Sequence, residues 1–300
     1  MILERCGGLF HRAGSPFAAE QPMSTYRTLS RTDRDGVAVI TFDHPPINLV
    51  DRDLVIDLLK LAQALEADRQ TRVVIFRSAN PAFFLAHFDL SGKGSNKPPA
   101  PLPEGEASVL SQLFTRYSRL PQVTIGELRG RARGAGSEFL LALDMRFASR
   151  ERAVLGQPEA ALGILPGAGG TVRLTQLLGR ARALEVCLGC ADFDAELAER
   201  YGWINRALPD AEIEAFVDEQ ARRIALFPES GIAHVKALVD RLSAADNAGL
   251  VDESQRFAAA MTAPETAERM RWMAGQGSGS DSPFERDMGA WLGSYPHGLK

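Results

Sequence analysis

The 300-residue sequence predicts an α/β core running to about residue 205, followed by a helical C-terminal part. Three observations predict it. A β-branched extended run at 37–42, a helix at 51–66 and a wholly apolar strand at 73–76 follow one another, the order of a parallel crossover with both sheet faces covered. A stretch at 130–171 then sets a buried-looking helix between two glycine-rich turns. Beyond residue 205, apolar residues recur at helical spacing.

Each element has a local reason. His44-Pro45-Pro46 stops the first strand, because proline cannot continue a ladder. In the 51–66 helix, Leu54, Leu58, Leu61 and Leu65 recur at i, i+4, i+7 and i+11 and form one apolar stripe. Residues 80–90 (NPAFFLAHFDL) read as a turn and an apolar loop. Residues 91–107 (SGKGSNKPPAPLPEGEA) read as a long mobile loop of the kind that covers sites. Leu110, Leu113, Phe114, Tyr117 and Leu120 mark another helix, which Pro121 ends before a strand starts at 123–125. Short helices follow at 171–178, 180–188 and 195–201, then longer ones at 211–227, 230–243, 249–261 and 264–273. Residues 275–283 (GQGSGSDSP) read as a flexible linker and 284–292 as a last amphipathic helix. Residues 1–23 read as a disordered leader, with Met23 directly before the first organised segment.

Bulk properties narrow the function. Hydrophobic residues make up 45% and charged residues 24%, ordinary for a soluble globular protein, and no apolar run approaches a membrane span. The net charge of −4 and the lack of a basic stripe argue against a nucleic-acid partner. Cys187 and Cys190 have C-x-x-C spacing but no second pair, so they read as free buried thiols in a reducing, cytoplasmic setting. The five histidines are scattered without metal-ligand spacing, and no metal or cofactor is expected. P-loop, dinucleotide-binding and G-x-S-x-G patterns are all missing.

The 130–171 stretch holds the chemistry. Glu138 directly follows one glycine-rich turn, and Glu159 precedes the other in Gln157-Pro158-Glu159. A carboxylate beside each of two loops that allow close backbone approach suits a carbonyl-polarising acid–base site. Taken singly, each glutamate is equally a dipole-favoured residue at a helix start.

Four segments resemble the crotonase superfamily, the enoyl-CoA hydratase/isomerase proteins, over roughly residues 25–262. They are FFLAHFDL (83–90), GRARGAGSEFLLALD (130–144), GQPEAALGILPGAGGTVRL (156–174) and, less specifically, YGWINRAL (201–208). The resemblance implies a crotonase-like spiral of ββα units at 24–205 and a helical trimerisation region at 206–274, with the linker and short helix filling 275–300. It implies an acyl-CoA thioester substrate, CoA being part of the substrate, and a homotrimer or dimer of trimers. The implied reaction is syn addition of water across a 2-trans-enoyl-CoA. By resemblance the backbone amides of Phe88 and Ala135 hold the thioester oxygen. Glu138 activates water and Glu159 delivers the proton to C2. Ala86, His87, Gly134, Gly136, Pro166 and Gly167 surround the substrate. CoA phosphates are assigned to Arg131, with Arg129 and Arg133 beside it, and to Lys236, although all four also read as solvated surface charge, while Asp144 in the LALD segment reads as structural. One departure matters. Ala86-His87-Phe88-Asp89 stands where the family has a small Ala-Gly-Ala-Asp-like run, so Phe88 either turns into the core or narrows the acyl pocket. His87 reads as a packed or surface histidine, or as an added titratable group beside the thioester. Alternatives within this resemblance are an isomerase, hydrolase or decarboxylase on an unusual acyl-CoA, and a weakly catalytic acyl-CoA-binding protein.

Overall fold

The computed structural model describes residues 26–90 and 102–295. Residues 1–23, expected as a leader, and 91–101 of the expected loop lie outside the described residues. Strands β1 (Leu29–Arg34) and β2 (Val37–Phe42) form an antiparallel hairpin. Helix α1 (Arg52–Ala67) starts where the Asp51 carboxylate accepts from the Leu54 amide at 3.0 Å, and its leucine stripe is fully buried. Then come β3 (Val73–Ser78), β4 (Phe83–Leu85), α2 (Val109–Ser118), β5 (Val123–Leu128), β6 (Arg131–Arg133) and α3 (Ala135–Leu141). After α3 the chain makes β7 (Met145–Ser149), β8 (Val154–Gly156), a 3-10 turn at Glu159–Leu162, α4 (Gly170–Leu178) and α5 (Arg180–Gly189). The core ends with β9 (Phe193–Asp194), α6 (Ala195–Tyr201) and β10 (Arg206–Leu208).

Two sheets organise these elements. The larger has the order β1-β2-β3-β5-β7-β10 and is parallel from β2 onward. The smaller has the order β4-β6-β8-β9, parallel except at β9. Each of three successive turns (β3-β4, β5-β6, β7-β8) lays one strand in each sheet before the chain enters a helical segment. That is the expected spiral of ββα units. The small-sheet strands carry only two or three residues each, too few for a period-2 pattern, and the sequence signal missed them.

Both faces of the larger sheet are covered, which explains the unbroken Val73-Val74-Ile75-Phe76 run. On one face Ala38, Ile40, Phe42, Val74 and Phe76 pack against α1, α2 and α3. Phe139 of α3 is the hub, meeting Phe42, Phe76, Phe114 and Tyr117 edge-on at centroid distances of 5.8, 5.1, 5.5 and 5.1 Å. The buried Tyr117 hydroxyl donates to the Leu58 carbonyl at 2.8 Å. On the other face Val37, Val39, Val73, Ile75 and Ile125 meet Ile213, Val217 and Ala221 of α7 (Ile213–Ala225).

Helices α8 (Glu229–Ser243), α9 (Asn247–Ala260) and α10 (Pro264–Gly275) follow. The stretch expected as a flexible linker is instead a set of turns closed on the Glu285 carboxylate, whose Oε1 accepts from the Gly279 amide at 2.9 Å and the Ser278 hydroxyl at 3.2 Å. A buried carboxylate gathers donors, and these turns supply them. The expected last helix is two short ones, α11 (Pro283–Arg286) and α12 (Met288–Gly293), separated at Asp287. They return to the core, where Phe284, Met288 and Leu292 pack with Leu162, Ile164 and Met273.

Replacing Phe139 by alanine removes the hub of the aromatic cluster. It should lower unfolding free energy by about 3–5 kcal/mol, measurable as a reduced urea midpoint at unchanged slope.

Candidate active site

Three neighbouring parallel strands of the small sheet end at one place. The Arg133 amide donates to the Ala86 carbonyl at 2.9 Å and the Gly134 amide to the Gly156 carbonyl at 3.0 Å, so the chain leaves β4, β6 and β8 side by side. The three exits carry His87-Phe88, Gly134-Ala135 and Pro158-Glu159. A parallel bridge pairs Val50 with Phe88. Val50 donates to the His87 carbonyl at 2.9 Å, and Asp89 donates to the Val50 carbonyl at 3.1 Å. Across a trans peptide the carbonyl and N–H point in opposite directions. The Phe88 N–H therefore points away from Val50, toward the side where β6 runs on into Ala135. The Ala135 N–H is a first-turn donor of α3, which has no acceptor within its own helix.

Two glycines let these backbones close up. Gly134 has φ +48°, and a Cβ there would lie 2.6 Å from Glu159 Oε1. A Cβ on Gly136 would lie 2.1 Å from the Leu85 carbonyl oxygen.

The strand ends open onto a cavity of about 620 Å³. Its wall includes His87, Phe88, Ala135, Glu138, Glu159 and Gly167, with an apolar remainder drawn from α1, α2, the 3-10 turn, α9, α10 and α12. Phe88 is 38% exposed and lies on this wall, so its ring narrows the cavity and does not enter the core. Leu90 and Ser108, near the two ends of the expected loop, also line it. Ala86, Gly134, Gly136 and Pro166 are buried behind the wall. Of the residues expected around the substrate, His87 and Gly167 reach the cavity itself.

Both predicted glutamates are buried on that wall. Glu138 Oε1 accepts from the Ala168 and Gly170 amides, each at 2.8 Å. Glu159 Oε2 has no hydrogen-bond partner among the described residues. Burial, with the Glu253 charge adding to it, pushes Glu138 up to about 8 despite the two amides. Burial and the neighbouring Glu138 hold Glu159 well above the usual carboxylate range. Both acids are pushed above the ordinary carboxylate range, and they differ in what holds them: two amides favour the ionised form of Glu138, while Glu159 Oε2 has no such donor among the described residues.

A model of the enoyl-CoA hydratase/isomerase family matches residues 32–273. The chain belongs to that family. It is 34% identical over 205 residues to the Bos taurus enoyl-CoA hydratase domain-containing protein 2, mitochondrial, covering 66% of this chain and 67% of that one. It is 32% identical over 197 residues to the Arabidopsis thaliana probable enoyl-CoA hydratase 2, mitochondrial, covering 65% and 64%. The chain thus spans about two thirds of the length of these curated relatives. A crystal structure from Streptomyces avermitilis, provisionally named an enoyl-CoA hydratase, is similar with a TM-score of 0.84 and 42% identity over 91% of this chain and 99% of that one. The fold is the crotonase fold.

In this crotonase-family chain the four cations assigned to CoA phosphates are engaged internally. Arg129 bonds Asp210 at 3.1 Å and pairs with Glu127. Arg131 Nε donates to the Arg286 carbonyl at 2.7 Å. Arg133 grips both oxygens of Asp192, at 2.6 and 2.7 Å. Lys236 Nζ lies 2.5 Å from Asp144 Oδ1, and Asp144 also accepts from the Thr124 amide at 2.7 Å. These charges hold strands and helices together, and Asp144 is structural as expected. Arg131 and Lys236, expected at the CoA phosphates, thus have partners within the chain.

Sequence reasoning missed Glu253. Its Oε1 accepts from the Gly169 amide at 2.5 Å, and its Oε2 from the Thr171 and Val172 amides at 2.8 and 3.2 Å. The first turn of α4 therefore divides its amides between Glu138 and Glu253. A signal existed, because Glu253 occupies a core position of the i, i+3, i+4, i+7 stripe Leu250, Glu253, Ser254, Phe257.

The folded protein holds the Glu138 proton more tightly than the unfolded chain does, whose carboxyl titrates near 4.5. This group's stabilisation is fully present below pH 4.5 and lost as pH rises toward about 8. Glu138→Gln lacks that titration. Thermal unfolding of both proteins from pH 4.5 to 8 should show the wild type losing ground to the variant as pH rises.

Proposed function

We propose that the chain is an enoyl-CoA hydratase-like lyase that adds water syn across a 2-trans-enoyl-CoA. One observation carries the proposal: two buried carboxyls, one held by two amides and one with an unpartnered oxygen, share one apolar cavity wall with the Phe88 and Ala135 strand exits. The two amides would hold the thioester oxygen and stabilise the enolate-like charge that develops on it. Glu138, whose ionised form is favoured by two amides on Oε1, would take the proton of a water as its oxygen attacks C3. Glu159, held above the usual carboxylate range by burial and by Glu138 and with an unpartnered oxygen, would deliver its own proton to C2. This division agrees with their hydrogen bonding, since the amides favour a carboxylate at Glu138 and an unpartnered oxygen is free to carry a proton at Glu159. The chemistry so written uses the CoA thioester and no further cofactor.

The acyl group is proposed to be other than a short unbranched enoyl chain. Supporting this are the cavity volume of about 620 Å³, the Phe88 ring in it, and Met261, Met273 and Met288 on its wall. A trimer, or a dimer of trimers, is also proposed. On α8, Val235, Leu238, Val239 and Leu242 form an i, i+3, i+4, i+7 stripe that is exposed in the single chain.

Loss of the conjugated enoyl absorbance across a panel of 2-enoyl-CoA chain lengths tests the reaction. Glu138→Gln and Glu159→Gln should each lower kcat by roughly 10²–10⁴. No turnover on any chain length by the wild type would sink the reading, and release of free CoA or a shifted double bond would replace it with a hydrolase or an isomerase. Replacing Leu238 and Leu242 together by aspartate should convert the assembly to monomers in light scattering, and an unchanged mass would exclude α8 from the interface.

A further inference from the structure

The C-terminal turn returns to the site along a route the proposed reaction does not use. Glu285 of α11 is fully buried, and its Oε1 lies 2.8 Å from His87 Nε2. His87 Nδ1 lies 2.9 Å from the carbonyl oxygen of Phe88. A carbonyl can only accept, so Nδ1 carries a proton, and the second ring nitrogen shares one with the Glu285 carboxylate. The ring thereby pins the peptide plane after Phe88, and Val50 pins the plane before it, which carries the Phe88 N–H. The His87 carbonyl is held by the Val50 amide at 2.9 Å, and the plane after Phe88 is held by His87 Nδ1 and by the Asp89-to-Val50 bond at 3.1 Å. Burial works against the charge on His87, yet Glu285 leaves its pKa above the ordinary value, which favours the ring that donates from both nitrogens.

The same helix also grips the neighbouring strand. Arg133 Nη1 donates to the Glu285 carbonyl at 2.7 Å, and Arg131 Nε donates to the Arg286 carbonyl at 2.7 Å. Both arginines belong to β6, the strand that runs into Gly134-Ala135. Helix α11 therefore touches the β4 exit through a side chain and β6 through two carbonyls. It lies beyond residue 273, where the family match ends. In sequence, Ser282-Pro283-Phe284-Glu285 reads as a capping box whose glutamate turns back on its own helix start. Here the Ser282 hydroxyl caps the Glu285 amide at 3.2 Å, but the carboxylate turns to His87.

We propose that Glu285 and His87 are positioning residues that orient the Phe88 amide toward the thioester oxygen, so that the C-terminal turn completes the oxyanion site. This rests on the reading of Phe88 and Ala135 as the thioester-oxygen donors. Neither side chain enters the bond-making steps.

The experiment binds a 2,4-dienoyl-CoA, a conjugated thioester whose absorbance moves to longer wavelength when its carbonyl is polarised. It then measures kcat and KM separately on the best enoyl-CoA. His87→Phe keeps a ring but removes both hydrogen bonds. It should lose most of the red shift and lower kcat between tenfold and about 10²-fold, with KM changed by less than about threefold. Glu285→Ala should fall in the same direction, so the test survives if one variant fails to fold. His87→Asn, whose amide nitrogen can still donate to the Phe88 carbonyl, should recover most of the shift. A wild-type shift retained in both His87→Phe and Glu285→Ala, or a loss confined to KM, overturns the inference. The spectral arm needs only thioester binding. If the wild type shifts the dienoyl absorbance but hydrates nothing, the hydratase reading fails while the positioning claim is still decided.

Discussion

The site depends on two main-chain hydrogen bonds, from Arg133 to Ala86 and from Gly134 to Gly156. They align three short parallel strands, so that the chain leaves all three in the same direction and within reach of one another. Phe88, Ala135, Glu138 and Glu159 each sit at one of these exits or on the segment just beyond it. Helix α3 starts at the second exit and carries Glu138 four residues beyond Gly134, the interval at which the Glu138 amide bonds back to the Gly134 carbonyl at 2.8 Å. The 3-10 turn starts at the third exit and presents Glu159. Because each exit belongs to a different turn of the spiral, residues 87, 135 and 159 converge without being near in sequence.

Charge inside this region is managed with amides more than with cations. Glu138 and Glu253 are satisfied by the first turn of α4, and Arg173, the cation nearest them, donates to the Ala168 carbonyl at 2.9 Å and caps backbone instead of pairing a carboxylate. A helix N-terminus supplies only partial positive charge, so it offsets part of the cost of burial and leaves the proton affinities of Glu138 and Glu253 above the ordinary carboxylate range. A full ion pair in the same place would have lowered that proton affinity and left a carboxylate too weakly basic to draw a proton from water. The true ion pairs lie elsewhere and are structural. Arg133 with Asp192 and Lys236 with Asp144 fasten separate elements to the core.

How much of this was legible depends on the length of the pattern each feature leaves. The leucine stripe of α1, the apolar β3 and the helices beyond residue 205 extend over enough residues for periodicity to declare them. The strands β4, β6 and β8 do not, and their assignment waits on their neighbours. Glu138 and Glu159 stood out because glycine-rich turns flank them, a local feature. Glu253 and Glu285 had weaker local marks, a polar residue in a core stripe and a capping box, and neither mark names the distant partner. The cations near Gly134 looked available for phosphate because sequence shows charge but not what the charge faces.

The sequence alone determined the longer helices and strands, the family and the two glutamates to look at, because propensity, periodicity and the glycine-flanked motifs are properties of contiguous residues. Only the tertiary structure decided that Phe88 faces the cavity, that Arg131 and Lys236 are bound within the chain, and that the residues around 280 close back onto His87. Those outcomes turn on contacts between segments as much as 198 positions apart. Their geometry is set by sheet pairing and burial, which no window along the chain contains.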